Sequence, residues 1–229
     1  MKTALFGFAA SAAALACSLP ATAAETLSVV SGPAGTRAVS IANVDPIGQT
    51  FTAFTDTITS VGFQFASLNP TQPNDPITLR IFAGETLTGT SLFTNTFTLP
   101  TSINSRTPQW FDIAVPSLGV TNGQRYSLVL QTGSSFRNAL VVGPDFNPST
   151  GQFAGGDAYA GGRLLSSGAT YANCTGANNN CDANFRVTGN LVAAAVPEPT
   201  TWAMLILGFG VVGGALRRRA ARRPQLNYV

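Results

Sequence analysis

The chain contains no histidine and a single lysine, Lys2, among its 229 residues. The lack of histidine removes the commonest general base and the commonest metal ligand of proteins. Because residues 25–190 also contain no lysine, Ser-His-Asp and Cys-His catalysis and Schiff-base chemistry are excluded there. The sequence has no G-x-S-x-G elbow and no phosphate-binding glycine loop. These absences together favour a protein that is not an enzyme.

Charge is also scarce, since 10% of the residues are charged and the formal net charge is +3. Soluble domains usually contain about 25% charged residues. Five arginines lie close to the C-terminus, whereas residues 25–190 hold seven arginines against nine acids and carry a net charge of −2. A nucleic-acid-binding protein needs a basic stripe on its folded part. Nucleic acid is therefore excluded as a partner.

The N-terminal residues have the layout of an export signal. Lys2 gives a positive start, residues 4–19 are mostly apolar, and Ala21-Thr22-Ala23 forms an A-x-A cleavage site. We therefore predict a signal peptide over residues 1–24 and a mature chain that begins at Ala24 or Glu25. Such a chain is exported from the cytoplasm.

Residues 25–190 show the period-two alternation of half-buried strands, with turn residues between the alternating segments. Four sets of apolar residues share a face in this way: Val61, Phe63 and Phe65; Ile77, Leu79 and Ile81; Phe111, Ile113 and Val115; Tyr126, Leu128 and Leu130. Many short strands separated by turns indicate an all-β fold. We predict a single β-sandwich or jelly-roll-like domain over residues 25–190.

Residues 143–183 differ from the rest of this domain because they are rich in glycine and asparagine. They predict long loops with one strand near 158–165, before a last strand around Phe185 and Val187. Cys174 and Cys181 flank a short polar loop and are the two cysteines left after export. In an oxidising compartment this spacing predicts a disulfide.

Candidate binding residues in the predicted sandwich are few, and no motif marks them. The large rings available to a sugar ligand are Trp110, Tyr159 and Tyr171. The loop acids that could hold calcium are Asp145, Asp157 and Asp182. No other cofactor is indicated, and no catalytic residue is assigned.

The C-terminal segment follows an Ala/Val-rich linker at residues 191–196. It contains Pro197-Glu198-Pro199, then Trp202-Ala203-Met204, an apolar stretch that reaches residue 216, and the arginines Arg217, Arg218 and Arg219. The prolines favour an extended entry into a helix. We predict a transmembrane helix over residues 200–216, with the arginines orienting its end to the cytoplasmic side.

This order of features closely resembles the PEP-CTERM sorting signal in its PEPxxWA variant, here over residues 197–223. The resemblance implies an exported protein of a Gram-negative bacterium that is anchored in the inner membrane until an exosortase processes its tail. It then implies delivery to the cell surface or to the extracellular matrix.

From these features we expect a surface-sorted, non-enzymatic protein, with a structural or adhesive role in an exopolysaccharide or biofilm matrix. That role rests on the resemblance of the tail. The first alternative is a carbohydrate-binding module, with extracellular polysaccharide as its partner. The second is a hydrolase that works through a pair of carboxylates.

Overall fold

The computed structural model of the chain describes residues 22–31, 38–147, 152–154, 156–167, 181–192 and 199–220. The chain divides into two units. One is Thr22–Val192, which we call the two-sheet domain, and the other combines Met1–Ala21 with Ala193–Val229. The described part of the second unit is the helix α1 (Pro199–Ala220).

The described residues of the two-sheet domain form fourteen strands. They are β1 (Thr22–Val29), β2 (Ala38–Ser40), β3 (Ile47–Thr52), β4 (Thr57–Ser67), β5 (Ile77–Ala83), β6 (Phe93–Phe97), β7 (Gln109–Gly119), β8 (Arg125–Thr132), β9 (Asn138–Gly143), β10 (Asp145–Asn147), β11 (Gln152–Ala154), β12 (Leu164–Ser166), β13 (Asp182–Ala183) and β14 (Phe185–Val192). A 3-10 turn, Ile41–Asn43, follows β2.

The larger sheet is antiparallel and is organised around the long strand β4. One edge of β4 pairs with β7, while its other edge pairs first with β14 and then, from Phe65 to Ser67, with β9. The strand β1 pairs with β14, and both β2 and β13 pair with β9. The segment from β13 to β14 therefore passes from β9 to β4 within one sheet.

The smaller sheet is also antiparallel and has the order β12-β3-β8-β5-β6. Residues of both sheets belong to one buried apolar cluster, with Phe51, Leu79 and Leu128 from the smaller sheet. Phe63 and Phe185 from the larger sheet belong to the same cluster. The two sheets thus share one core, and the all-β prediction is confirmed. The remaining strands, β10 and β11, form a separate two-stranded ribbon.

The four predicted period-two sets lie in β4, β5, β7 and β8. Eleven of their twelve residues are buried, and the remaining one, Phe111, is partly buried against the core. The alternation of apolar and polar residues identifies the buried face of each strand, because successive side chains point to opposite faces of the sheet.

The strand predicted near 158–165 is shorter and begins later, at Leu164. The residues before it form a loop that lies against β3. Thr50 N donates to Arg163 O at 2.9 Å, and Thr52 Oγ1 donates to Gly161 O at 2.8 Å. A Cβ atom on Gly162 would overlap the backbone oxygen of Thr50, so glycine permits this close approach.

The predicted signal peptide falls on residues that the structure describes only in part. Residues 1–21 lie outside the described residues, and β1 already begins at Thr22. The signal peptide stays a prediction. Its predicted cleavage site, before Ala24 or Glu25, lies within β1.

The helix predicted at 200–216 is present as the longer α1. Among the described residues, however, no helix is both long enough and apolar enough to cross a membrane. The transmembrane helix predicted at 200–216 is therefore not found. Its apolar stretch ends at Leu216, where three arginines follow, and is shorter than the ~20 residues that a spanning helix needs.

Candidate functional site

The residues of the predicted sorting motif lie at the start of α1 and just before it. Pro197 and Glu198 lie outside the described residues, whereas Pro199 is the first residue of the helix. Proline suits this position because its missing N–H would have no partner in the first helical turn. Trp202 and Ala203 follow in the helix, where the structure describes their backbone but not their side chains.

The described side chains of α1 are exposed on all sides. Met204 is 70% exposed and Phe209 is 71% exposed, and the other large apolar side chains up to Leu216 are similarly uncovered. Arg217 and Arg218 follow near the C-terminal end and are exposed, and Arg219 belongs to the same helix. Positive charges there complement the negative end of the helix dipole.

Two of the three predicted calcium ligands lie together. The backbone amide of Tyr159 donates to Oδ1 of Asp157 at 2.9 Å and to Oδ2 of Asp182 at 3.1 Å. The two carboxylates therefore converge on one amide. Asp145 belongs to β10, and its side chain lies outside the described residues.

Asp182 is fully buried, and its Oδ1 accepts a hydrogen bond from Gln49 Nε2 at 2.8 Å. Burial raises the pKa of Asp182 to about 7; the hydrogen bond from Gln49 opposes this rise and the charge of Asp157 adds to it. Because the carboxyl is buried, this pair does not offer the open cleft that the hydrolase alternative requires.

In the described part of the chain, no group of three or more His, Cys, Asp or Glu side chains is arranged to hold a metal ion. Asp157 and Asp182 supply two oxygen ligands, fewer than the six to eight that calcium usually takes. Calcium binding stays a prediction.

Asp182 belongs to a set of buried side chains that we call the polar junction: Gln49, Gln64, Asp182 and Asn184. Gln49 Oε1 accepts from Ala183 N at 2.8 Å, which links β3 of one sheet to β13 of the other. Asn184 Nδ2 donates to Gln64 Oε1 at 2.7 Å. The junction thus satisfies polar groups where β4, β9 and the β13–β14 segment meet.

The sequence analysis did not single out Gln49, Gln64 or Asn184. A signal was present for Gln49, which lies between Ile47 and Phe51 on the inward face of β3. A polar residue at a core position needs buried partners. Its partners are more than 130 residues away along the chain, so the pattern alone could not identify them.

Tyr159, one of the predicted ligand contacts, has partners within the domain. Its ring meets the ring of Phe185 edge-on, with centroids 5.6 Å apart. Its hydroxyl accepts a hydrogen bond from Thr52 N at 3.1 Å. The Tyr159 side chain therefore connects the loop before β12 to β3 through a hydrogen bond and to the core through a ring contact. Tyr171 lies outside the described residues.

Trp110 lies on the outer face of the larger sheet, in a group that we call the outer-face cluster: Trp110, Asp112 and Arg186. The guanidinium carbon of Arg186 is 4.8 Å from the centroid of the Trp110 ring. Arg186 also forms a bidentate ion pair with Asp112. One face of the indole is thus covered by a cation, and sugar binding by these rings stays a prediction.

Gly62 makes the outer-face cluster possible. It stands on β4 between Asp112 on β7 and Arg186 on β14. A Cβ atom at this position would overlap the Asp112 carboxylate and the Arg186 side chain. The missing side chain allows Arg186 to cross β4 and reach a carboxylate two strands away.

The predicted disulfide is described at one end. Cys181 is buried, with 2% of its surface exposed, and Cys174 lies outside the described residues. The Cys174–Cys181 bond stays a prediction.

Comparison with known proteins gives one clear finding. The model of the PEP-CTERM protein-sorting motif matches residues 195–219. No curated protein matches the chain. The predicted PEP-CTERM signal is therefore confirmed, and it is a signal of exported, surface-sorted proteins that are exosortase substrates.

Proposed function

We propose that this PEP-CTERM protein is a non-enzymatic surface protein, whose two-sheet domain is delivered to the exopolysaccharide or biofilm matrix of a Gram-negative bacterium. It is held at the inner membrane until an exosortase cuts its tail. The domain then acts as a structural or adhesive component there. The observation that carries the proposal is the PEP-CTERM match at residues 195–219.

The position of the motif supports a separable passenger. The last strand of the domain, β14, ends at Val192, and the matched motif begins at residue 195. A cut within the motif would therefore leave every strand described above on the released side. The domain keeps its whole core after such a cut, and the tail is expendable once sorting is complete.

The chemistry of the domain supports a structural or adhesive role rather than a catalytic one. The mature domain lacks histidine and lysine. Its described charged side chains include Arg186, paired with Asp112, and Glu85, paired with Arg125 and Arg163. Asp182 is buried within the polar junction. These charged groups are engaged in contacts within the domain, which suits a matrix component that carries out no catalysis.

The test of sorting is the intact mass of the protein from its native host, measured separately for each cell fraction. We expect a mass that ends near residues 197–199, in the outer surface or the medium. A mass that extends to Val229 in the inner membrane would contradict the proposal. A variant that replaces Pro197, Glu198 and Pro199 with alanine should accumulate uncut. The matched control replaces Pro224, Gln225 and Leu226 with alanine; these three residues lie beyond both the predicted signal and the motif match, and this variant should be cut normally.

The test of the matrix role compares the processed protein in the native host and in a strain that makes no exopolysaccharide. We expect the protein to be retained in the extracted matrix of the first strain and released into the medium by the second. Equal retention in both strains would contradict a polysaccharide-linked role while leaving the sorting result intact.

A further inference from the structure

The strand β6 (Phe93–Phe97) lies at one edge of the smaller sheet. It pairs with β5 on one side, from Ile77 opposite Phe97 to Ile81 opposite Phe93. Among the described residues, no strand pairs with its other side. That side of β6 therefore presents backbone groups to which a further strand can pair.

The free side of β6 also has few of the features that usually protect a sheet edge, which include charged side chains and prolines. In the larger sheet, the edge strand β7 carries Asp112 and Pro116, and the edge strand β1 carries Glu25. By contrast, β6 contains neither a charge nor a proline, and residues 86–105 contain no charged residue at all. Leu92, directly before β6, is 46% exposed. This edge is therefore uncharged and has an exposed apolar side chain beside it.

The sequence of β6, Phe-Thr-Asn-Thr-Phe, reads the same in both directions and has Asn95 at its centre. Two copies that run antiparallel with Asn95 opposite Asn95 place Thr94 of one copy opposite Thr96 of the other. They also place Phe93 opposite Phe97. A two-fold axis at Asn95 makes the contact the same on both copies. The strand is therefore complementary to itself in this register.

The two faces of β6 also match in this arrangement. Thr94 and Thr96 are exposed on the outer face, where Thr96 Oγ1 and Thr78 Oγ1 are 2.9 Å apart. Phe93 and Phe97 pack against the core and remain partly exposed. Threonine thus meets threonine on one face, and phenylalanine meets phenylalanine on the other. Both kinds of cross-strand pair stabilise antiparallel strands.

Charge does not oppose the contact. The charged residue of the neighbouring strand β5 is Arg80, which lies opposite Thr94. Three strand spacings of ~4.8 Å would separate the β5 strands of the two copies, so the two Arg80 backbones would lie at least ~14 Å apart. This distance exceeds the Debye length of about 8 Å at physiological ionic strength, so their repulsion is largely screened.

We propose that two copies of the chain associate through β6, antiparallel and with Asn95 at the two-fold axis. The two five-stranded sheets then form one continuous sheet. Because both copies use the same edge, the contact closes at a dimer. A contact between two five-residue strands belongs to the weak class of interfaces, below ~1,200 Å². The dimer goes beyond the proposed function, because it does not depend on whether the tail is cut.

The test traps this weak contact with a disulfide between full-length chains in cells treated with an added oxidant. Directly opposite residues of antiparallel strands have Cα atoms about 4.5–5.5 Å apart, which a disulfide can span. Residues offset by two positions are about 7–8 Å apart, which is too far. Asn95→Cys should therefore link two chains. Thr94→Cys is the matched control, because the residue opposite Thr94 in the second copy is Thr96.

We expect Asn95→Cys to give at least about ten times more dimer than Thr94→Cys on a non-reducing gel. Random collisions would give the opposite order, because Thr94 is more exposed than Asn95. Thr94→Cys and Thr96→Cys chains that carry different tags should link to each other when they are co-expressed. The wild-type chain, which keeps its own three cysteines, gives the background.

A charge at the two-fold axis gives a second test, applied to the co-expressed Thr94→Cys and Thr96→Cys chains. Asn95→Lys in both chains places two ammonium groups opposite each other, and should lower the dimer yield by up to about fivefold. Asn95→Lys in one chain and Asn95→Asp in the other should restore the yield, because opposite charges then meet.

The proposal would be overturned if Asn95→Cys gave no dimer above the wild-type background, or no more than Thr94→Cys. A loss of yield that the Lys–Asp combination does not restore would also overturn it, since the axis would then not lie at Asn95. A linked product with a mass other than twice that of the chain would show that β6 contacts a different protein instead.

Discussion

Two acids on the larger sheet, Asp112 and Asp182, lie in opposite electrostatic environments. Asp112 in the outer-face cluster is exposed and has Arg186 as its counter-ion. Asp182 in the polar junction is buried, has neutral donors from Gln49 and Tyr159, and lies near a second acid, Asp157. On the surface, water screens a charge and an opposite charge orients it. In the interior, desolvation instead raises the pKa until a proton is retained near neutrality.

The comparison extends to two glycines, Gly62 in the outer-face cluster and Gly162 in the loop that lies against β3. Gly62 leaves room for the flexible side chains of Arg186 and Asp112, whereas Gly162 leaves room for the backbone oxygen of Thr50. Side chains can move away from an added methyl group at low cost, and a paired strand cannot. The contact between this loop and β3 should therefore tolerate change less well than the outer face.

The largest expected effect is that of Gly162→Ala. Because the new Cβ atom would displace the backbone of β3, we expect a loss of about 3 kcal/mol in the free energy of unfolding. Gly62→Ala is the matched substitution on the outer face and should cost less than about 1 kcal/mol, since it breaks an exposed ion pair. Urea unfolding of both variants gives the values. Equal losses would contradict the distinction between the two regions.

The second effect is a dependence of stability on pH that originates at Asp182. Its folded pKa, about 7, lies above the ordinary value of 3.8, so the folded state binds the proton more tightly than the unfolded state. The stabilisation is fully present below about pH 4 and is lost as the pH rises through about 7, with a slope of up to ~1.4 kcal/mol per pH unit.

Asp182→Asn should remove this part of the slope, because an amide does not titrate in this range. Asp112→Asn is the matched control and should leave the slope in place. Chemical unfolding at a series of pH values between 4 and 8 measures both. A slope that persists unchanged in Asp182→Asn would show that Asp182 is not its source.

A smaller effect is expected for Tyr159→Phe. The variant keeps the ring against Phe185 and removes the hydroxyl that accepts from Thr52 N. We expect a loss of about 1 kcal/mol, since the amide of Thr52 loses its partner. The carbohydrate-binding alternative instead predicts reduced glycan affinity at unchanged stability. Thermal unfolding and glycan titration of the same variant separate the two roles.

The smallest effect is that of the ion pair itself. A double-mutant cycle of Asp112→Asn and Arg186→Gln should give a coupling energy of about 0.5 kcal/mol, because both side chains are partly exposed. Added salt should reduce this coupling. A coupling energy well above 1 kcal/mol would show that the exposed Asp112–Arg186 pair is not weak, and would contradict the difference drawn here between the outer face and the polar junction.

The sequence was sufficient to predict the features that depend only on residues close together in the chain. Period-two alternation located β4, β5, β7 and β8 because each strand encodes its own buried face. The sorting motif was recognised from its residues because such a signal is a linear peptide. The helix was located for the same reason, although its capacity to span a membrane was overestimated.

The sequence was insufficient wherever distant segments determine the environment. Tyr159 lies in a glycine-rich segment that is typical of an exposed loop, yet its ring packs on Phe185. The role of Gly62 depends on residues in two other strands. The acids Asp157 and Asp182 were singled out as calcium ligands, but the burial that shifts the pKa of Asp182 follows from the tertiary fold.

The loop before β12 has a further consequence for encounters between two copies of the domain. An unpaired strand edge can recruit a strand of another molecule and begin aggregation. Beyond the short strand β12, the amide of Thr50 is bonded to Arg163 O and the amide of Thr52 is bonded to the Tyr159 hydroxyl. These two amides of β3 are therefore occupied and are not open to pairing with a strand of another molecule.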